Sequence, residues 1–384
     1  MIPYSRQSIA EADIDAVVEA LRSDFLTTGP RVAQFEERVA RYCHAPYAVA
    51  VNSGTSALHL ACLALGLGAG DRLWTIPNTF VASANCALMC GAEVGFVDIE
   101  PGSGNIDVDD LERRLASAAR DGRLPKVLVA VHFAGSPCDL QRIAKLCTLH
   151  NVRIIEDASH ALGAWLVDEP IGAGLHSDIT VFSFHPVKSI TAAEGGLATT
   201  RSEELFQKMQ MLRTHGVTRD EDLFTRSDGP WYYEQHELGF NYRMSDLHAA
   251  LGSSQMSRLD DFVAARAERA SKYDAAFADL PITTLERLPQ ARSAHHLYVL
   301  LIDQPSCGLD RAQMFKQLRA AGIGVNVHYI PVHTQPYYQQ RGFAKEDFPA
   351  SVRYYDQALS IPIYPDLSDE DQQFVIDQVE GALS

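Results

Sequence analysis

Lys188 closes the run Phe182-Ser183-Phe184-His185-Pro186-Val187-Lys188 and stands shortly before Glu194-Gly195-Gly196. Upstream, the apolar stretch Val152-Arg153-Ile154-Ile155 runs into Glu156-Asp157. If both stretches are neighbouring strands of one parallel sheet, an amine and a carboxylate stand at the same sheet edge. That pairing suits pyridoxal 5'-phosphate. A lysine amine can hold the aldehyde as a Schiff base, while an aspartate keeps the pyridine nitrogen protonated so that the ring withdraws electrons from a carbanion. Taken alone, each residue is more often a surface lysine or a strand-end acid than a catalytic group.

Other segments offer parts of the same chemistry. Asn52-Ser53-Gly54-Thr55-Ser56-Ala57-Leu58 lies between a strand-like and a helix-like stretch, so its amides and hydroxyls would surround a helix N-terminus, where phosphate binds readily. An ordinary Ser/Thr cap with a turn glycine has the same composition. Trp74-Thr75-Ile76-Pro77-Asn78-Thr79-Phe80 ends a further strand with an aromatic ring that could stack on a flat cofactor or fill the core. Asp157-Ala158-Ser159-His160 places an imidazole after the acid, and Ser183 a hydroxyl before the lysine. His185, His328 and His333 match no metal-ligand spacing, and no metal is expected.

These residues need a sheet to position them. Short apolar runs at Tyr47–Val51, Arg72–Ile76, Val94–Asp98, Val127–Val131, Val152–Glu156, Ile179–Phe184 and Gly196–Thr199 alternate with helical patterns. The alternation predicts an α/β fold with a mostly parallel sheet covered by helices on both faces, which takes ligands beyond the carboxyl ends of its strands. No GxGxxG follows the first strand, which removes the main support for a dinucleotide-binding protein. Arg213 to Arg243 reads as a long polar and aromatic excursion, followed by a helical segment from Ser245 to about Phe277. Beyond Pro281 the pattern predicts a smaller α+β unit: a strand over His296–Asp303, a helix over Asp310–Ala321, a strand over Gly324–Ile330 and a closing helix over Asp369–Leu383. The expected division is a large unit over 1–250 and a linking helix with a small C-terminal domain over 251–384.

Composition bounds the function class. The 384 residues are 46% hydrophobic and 21% charged, as in a globular protein, and the net charge of −16 argues against nucleic acid or an anionic membrane as partner. Seven scattered cysteines without a CxxC pair suggest a reducing compartment. With no secretory layout at Met1-Ile2-Pro3 and no long apolar span, a cytoplasmic protein is expected.

In this chain order the segments resemble the DegT/DnrJ/EryC1/StrS family of fold-type I pyridoxal-phosphate enzymes, which aminate nucleotide-linked keto-sugars. The likeness runs from Pro3 to the last helix and rests on Asn52–Leu58, Pro77–Asn85, Glu156–Gly163, Phe182–Gly196, Leu238–Ser245 and Val327–Pro331. It implies that Lys188 carries the cofactor, that Asp157 pairs with its pyridine nitrogen, and that Thr55, Ser56 and Ser183 hold its phosphate. Phe80 and His160 would contact the ring. Asn241, in Gly239-Phe240-Asn241-Tyr242-Arg243, would reach the phosphate of the other subunit in a homodimer. Tyr4, Asp24, Phe25, Leu26, Thr27, Gly54 and Val327-His328-Tyr329-Ile330 fall where relatives contact the sugar nucleotide. Many relatives have glutamine at the position of His160, and a dehydratase branch has histidine at that of Lys188. The resemblance therefore implies a transaminase that uses L-glutamate and a UDP-linked 4-keto sugar, of the branch leading to pseudaminic acid. Amination of a pentose, perosamine-type or TDP-linked sugar is the nearest alternative, and a non-catalytic regulator of the same fold a more distant one.

Overall fold

The structure, a computed structural model, describes residues 1–383. Its central sheet has seven strands: β1 (Tyr47–Val51), β2 (Arg72–Thr75), β3 (Glu93–Phe96), β4 (Val127–Val131), β5 (Arg153–Asp157), β6 (Ile179–Ser183) and β7 (Gly196–Thr200). They lie in the order β1-β7-β6-β5-β4-β2-β3. Runs such as Val-Leu-Val-Ala-Val in β4 are buried throughout, as expected of strands covered on both faces. Pairing is parallel from β6 across to β3, whereas β7 is antiparallel to both β6 and β1. The fold is thus α/β with a mostly parallel sheet.

Lys188 lies beyond the end of β6, itself parallel to β5, on the loop that joins β6 to the antiparallel β7. That loop is pinned from inside: Phe184 N–H donates to Gly195 O (2.9 Å), Ala192 N–H to Phe184 O (3.0 Å), and Lys188 N–H to His185 O (2.9 Å). The Phe184 ring is buried edge-on against Phe35 of α2 (Pro30–Tyr42), with 5.0 Å between centroids.

Helices cover the sheet: α1 (Glu11–Arg22), α2, α3 (Gly54–Ala64), α4 (Ala82–Met89), α5 (Val108–Arg120), α6 (Leu140–Leu149), α7 (Glu203–Arg213), α8 (Asp246–Met256) and α9 (Leu259–Ala276). The single helix expected from Ser245 to Phe277 is two, α8 and α9. Between them Gln255 and Arg258 turn back to the buried Asp13 of α1, which fixes the break. The excursion after Arg213 carries a short ribbon, Val217–Thr218 against Glu234–Gln235. One carboxylate organises it: Glu234 accepts bonds from the backbone and hydroxyl of Thr225 and from Tyr232, and contacts His236.

Towards the C-terminus, β8 (Thr283–Thr284), β9 (Tyr298–Leu301) and β10 (Ala358–Ile361) form an antiparallel sheet in that order. With α9, α10 (Arg311–Ala320) and α11 (Asp369–Leu383) it encloses a second core that includes Tyr273, Tyr298, Met314, Leu359 and Val375. The strand expected over Gly324–Ile330 does not form, and only Asn326 bridges to Ser360. The reason lies in the competing partners of its far end: Tyr329 N–H donates to Asn78 Oδ1 at 3.2 Å, which draws the segment off the sheet. No helix among the described residues is long and apolar enough to cross a membrane.

Candidate active site

The sheet, its loops and the segment drawn toward Asn78 enclose a cavity of about 410 Å³ beyond the carboxyl ends of β5 and β6, the expected place for a ligand in such a sheet. Asp157 and Lys188 both line it. Asp157, the last residue of β5, is almost fully buried. Its Oδ2 accepts from Ser83 Oγ at 2.6 Å, and its Oδ1 from Ser159 N–H at 3.1 Å and Ser159 Oγ at 2.6 Å. Thr79 Oγ1 lies 2.8 Å from Ser83 Oγ and extends the chain of hydroxyls. Three donors fix the direction of this carboxylate. Burial pushes the Lys188 amine down to about 8, against the opposing pull of Asp157. An amine so placed is uncharged in a useful fraction near neutral pH.

The phosphate-binding expectation has a geometric counterpart. Ser53 caps α3, its Oγ accepting from Ser56 N–H at 3.1 Å. Gly54 follows as the first helical residue, and a Cβ there would lie 2.9 Å from Ser183 Cβ. A Cβ on Gly196 would lie 2.3 Å from Ser53 O and 2.6 Å from Gly54 N. Two glycines thus let the N-terminus of α3 approach the end of β6 closely enough to form a cradle, with Thr55 and Ser183 on its wall. Ser56 is turned away: its hydroxyl donates to Asn52 Oδ1 at 2.6 Å and does not line the cavity.

Phe80, Tyr4, His160, His328 and Tyr329 complete the aromatic wall. Phe80 is 58% exposed, so its ring stands over the mouth rather than in the core. His160 Nε2 lies 3.1 Å from Tyr329 Oη. Burial, Lys188 and His328 hold His160 well below the usual imidazole range, and burial and Lys188 push His328 down to about 3. Both rings are neutral at physiological pH. Carboxylate, half-buried amine, helix N-terminus and aromatic wall fit a flat, phosphate-bearing pyridine aldehyde.

Several expected residues stand elsewhere. Asn241 is exposed, bridged to Thr214, and does not reach the cavity of its own chain. Asp24, Phe25, Leu26 and Thr27 lie outside the cavity lining, with Phe25 and Leu26 about half exposed and Thr27 bridged to Ser245. Val327 and Ile330 flank the lining pair His328-Tyr329 without joining it. The sequence reading gave no role to Ser83, Ser159 or Gly196. Ser159 was detectable as a hydroxyl two residues after the acid, an Asx-type arrangement; Ser83 comes from another helix, and only the folded chain brings it to Asp157. His185 and Glu194 also line the cavity.

Residues 7–380 match the sequence pattern of the DegT/DnrJ/EryC1/StrS aminotransferase family. The chain belongs to that family. It is a sugar aminotransferase of a pyridoxal-phosphate-dependent kind. Among similar proteins, the spore coat polysaccharide biosynthesis protein SpsC of Bacillus subtilis (strain 168) is 40% identical, over 100% of this chain and 97% of that one. The UDP-4-amino-4,6-dideoxy-N-acetyl-β-L-altrosamine transaminase of Campylobacter jejuni subsp. jejuni serotype O:2 is 38% identical, over 100% and 98%. Among solved structures, Helicobacter pylori PseC, an aminotransferase involved in the biosynthesis of pseudaminic acid, superposes with a TM-score of 0.90 at 32% identity, covering 100% of this chain and 99% of that one.

Proposed function

We propose that this aminotransferase moves an amino group from L-glutamate to C4 of UDP-2-acetamido-2,6-dideoxy-β-L-arabino-hexos-4-ulose, a step toward pseudaminic acid. The observation that carries the chemistry is the joint presence of Lys188 and Asp157 on one cavity wall beside the α3 cradle. The substrate reading is supported by the full-length similarity to the Campylobacter jejuni transaminase. Similarity to SpsC, at 40% identity, supports a second reading, a related nucleotide-sugar aminotransferase of surface polysaccharide synthesis.

When bound, the cofactor supplies an electron-withdrawing ring and a carbonyl that exchanges amines. The residues supply the rest. Asp157, oriented by Ser83 and Ser159, would pair with the ring nitrogen and keep a proton on it. The α3 N-terminus, Thr55 and Ser183 would anchor the phosphate, while Phe80 and His160 would border the ring. Lys188 would hold the cofactor, and its Nζ, uncharged in a useful fraction near neutral pH, would take the proton from the donor's α-carbon. In the return half-reaction the same Nζ delivers a proton to C4 of the sugar. In this reading residues 1–250 hold the cofactor, and 251–384 add Tyr329 and His328 as a wall on the substrate side. Asn241, unable to reach its own cavity, completes the partner's in a homodimer, and the half-exposed Phe25 and Leu26 meet the sugar nucleotide at the mouth.

The test is a panel of 4-keto nucleotide sugars, including both C5 epimers, with purified protein, pyridoxal phosphate and glutamate. The proposed substrate should be aminated far better than a TDP-linked analogue without the acetamide, because donors built to bind that group would be left unpaired. A preference for TDP-sugars, or for the D-configured epimer, overturns the substrate and leaves the aminotransferase standing.

A further inference from the structure

Behind His160 lies a second imidazole to which the chemistry above gives no role. His296 is buried, and its ring centroid is 4.2 Å from that of His160, with 38° between planes. On each ring the Nδ1 atom is buried without a hydrogen-bond partner. Buried polar atoms are rarely left unpaired, and here two orphans occur on adjacent rings.

The placement of His296 is over-determined. The guanidinium of Arg266, itself almost fully buried, donates to the carbonyls of Ile363 (2.9 Å), His296 (3.4 Å) and His295 (3.5 Å). From the other side, Ala294 N–H donates to Gly135 O at 3.0 Å. Gly135 has φ +93°, and a Cβ there would fall 2.9 Å from both His160 O and His296 N. Only glycine permits this approach. Arg266 and Gly135 together deliver the second ring to the back of the first.

We infer that His296 fixes the tautomer of His160: its Nδ1–H serves the bare Nδ1 of His160 through one buried water, so that His160 keeps its Nε2–H for the cavity side. Burial holds both imidazoles well below their usual range, with Lys188 and His328 adding to it for both, and His160 and Arg266 adding to it for His296. Two neutral rings carry one donor and one acceptor each, so a single bridging water satisfies both orphans. The guanidinium of Arg266 sets its direction: it acts on His296 and not on His160, so the N–H dipole of His296 points away from Arg266 and toward His160. His160 Nε2, on the Tyr329 side, is then a donor to an anionic oxygen of a bound ligand and not an acceptor. His296 is a positioning residue, acting through His160.

The inference deepens the cofactor reading and can be separated from it. In cofactor-free protein labelled with ¹⁵N-histidine, proton–nitrogen correlation should show His160 neutral, with Nε2 protonated and Nδ1 bare. A protonated Nδ1 overturns the inference. His296→Phe keeps the ring and removes the donor, and should release His160 into a mixture of tautomers; His296→Asn, whose side-chain N–H can take the place of Nδ1–H, should restore the single one. In protein loaded with pyridoxal phosphate, the pH midpoint of the visible absorption band should move by about one unit in the Phe variant and return in the Asn variant. An unchanged His160 tautomer in the Phe variant sinks the idea. If that variant does not fold, the wild-type and Asn spectra still decide. Failure to form any absorbing adduct at Lys188 would instead strike the cofactor reading and leave the nitrogen spectra to judge the histidine pair.

Discussion

Ser83 Oγ, on α4, donates a 2.6 Å hydrogen bond to Oδ2 of Asp157 at the end of β5. The direction of the carboxylate is therefore set by a helix that follows a different strand, and the two elements must dock before the site is correct.

Ser83→Ala should expose this dependence. Losing one donor to a buried carboxylate costs about 1.5–3 kcal/mol, so the dissociation constant for pyridoxal phosphate should rise or the chemical step slow by about 10- to 100-fold. Equilibrium dialysis and single-turnover kinetics check this. Wild-type values for both would mean that Ser159 alone holds Asp157.

Gly54→Ala tests the cradle. The added methyl would stand 2.9 Å from Ser183 Cβ, closer than packed carbons tolerate, so α3 must retreat from the end of β6. Cofactor affinity should fall, while inorganic phosphate should lose its ability to compete for the site. The melting temperature of the cofactor-free protein should change little, since α3 keeps its Ser53 cap. Unchanged affinity for the cofactor would place the phosphate elsewhere.

Much of this arrangement was legible in the chain, and the boundary between what was and was not is physical. Buried β-branched runs announce the strands because a covered parallel sheet admits little else at those positions, and Ser53-Gly54 marks a helix start by its capping chemistry. Asp157 and Lys188 were visible because residue type and local pattern both pointed to them. Ser83, His296 and the two-glycine approach were not, since each acts on a residue far away in sequence and no periodicity records that. The segment Gly324–Ile330 reads as a strand from its β-branched residues, yet the side chain of Asn78 outbids the neighbouring sheet for its backbone. Tertiary hydrogen bonding overrides local preference there.

The charge of Lys188 gives a pH signature. Burial lowers the amine from its ordinary 10.5 to about 8, so in the cofactor-free protein the nucleophile is protonated below that pH. Capture of pyridoxal phosphate should accelerate about tenfold per pH unit up to about pH 8 and then level off. Stopped-flow absorbance reads the rate. The linked stability term has a definite sign: between pH 8 and 10.5 the unfolded chain binds the proton more tightly, so the contribution of Lys188 to stability increases with pH across that window. A capture rate that kept rising to pH 10 would mean an unperturbed lysine.

One buried pair underlies the strand that carries Asp157. His132 Nδ1 accepts the Cys138 N–H at 3.0 Å, which leaves Nε2–H to donate to Glu156 Oε2 at 2.8 Å. Burial works to raise the Glu156 carboxyl, but His132, Ser177 and Thr180 outweigh it and hold it below its usual range. His132→Ala would leave a cavity and a buried carboxylate short of a donor, at a cost of about 3 kcal/mol. Urea denaturation of the cofactor-free protein should show the loss; a change under about 0.5 kcal/mol would mean that solvent replaces the imidazole.

The last prediction concerns Asn241, which lies next to Tyr242 on the return of the excursion from Arg213. Its backbone bridges to Thr214, its carbonyl lies 3.5 Å from Asn52 Nδ2, and its side chain does not line the cavity of its own chain. If it serves the phosphate of a second subunit, Lys188→Ala and Asn241→Asp should complement each other. Each variant alone lacks a part in both sites of a homodimer. In a mixed dimer both defects fall in one site, because the subunit lacking the lysine receives the altered Asn241, and the other site is complete. With free exchange about half the dimers are mixed, each with one working site, so about a quarter of wild-type activity should return. Mass spectrometry of differently tagged subunits establishes that exchange took place; if it did and activity stayed at the level of the separate variants, Asn241 would not act across the interface.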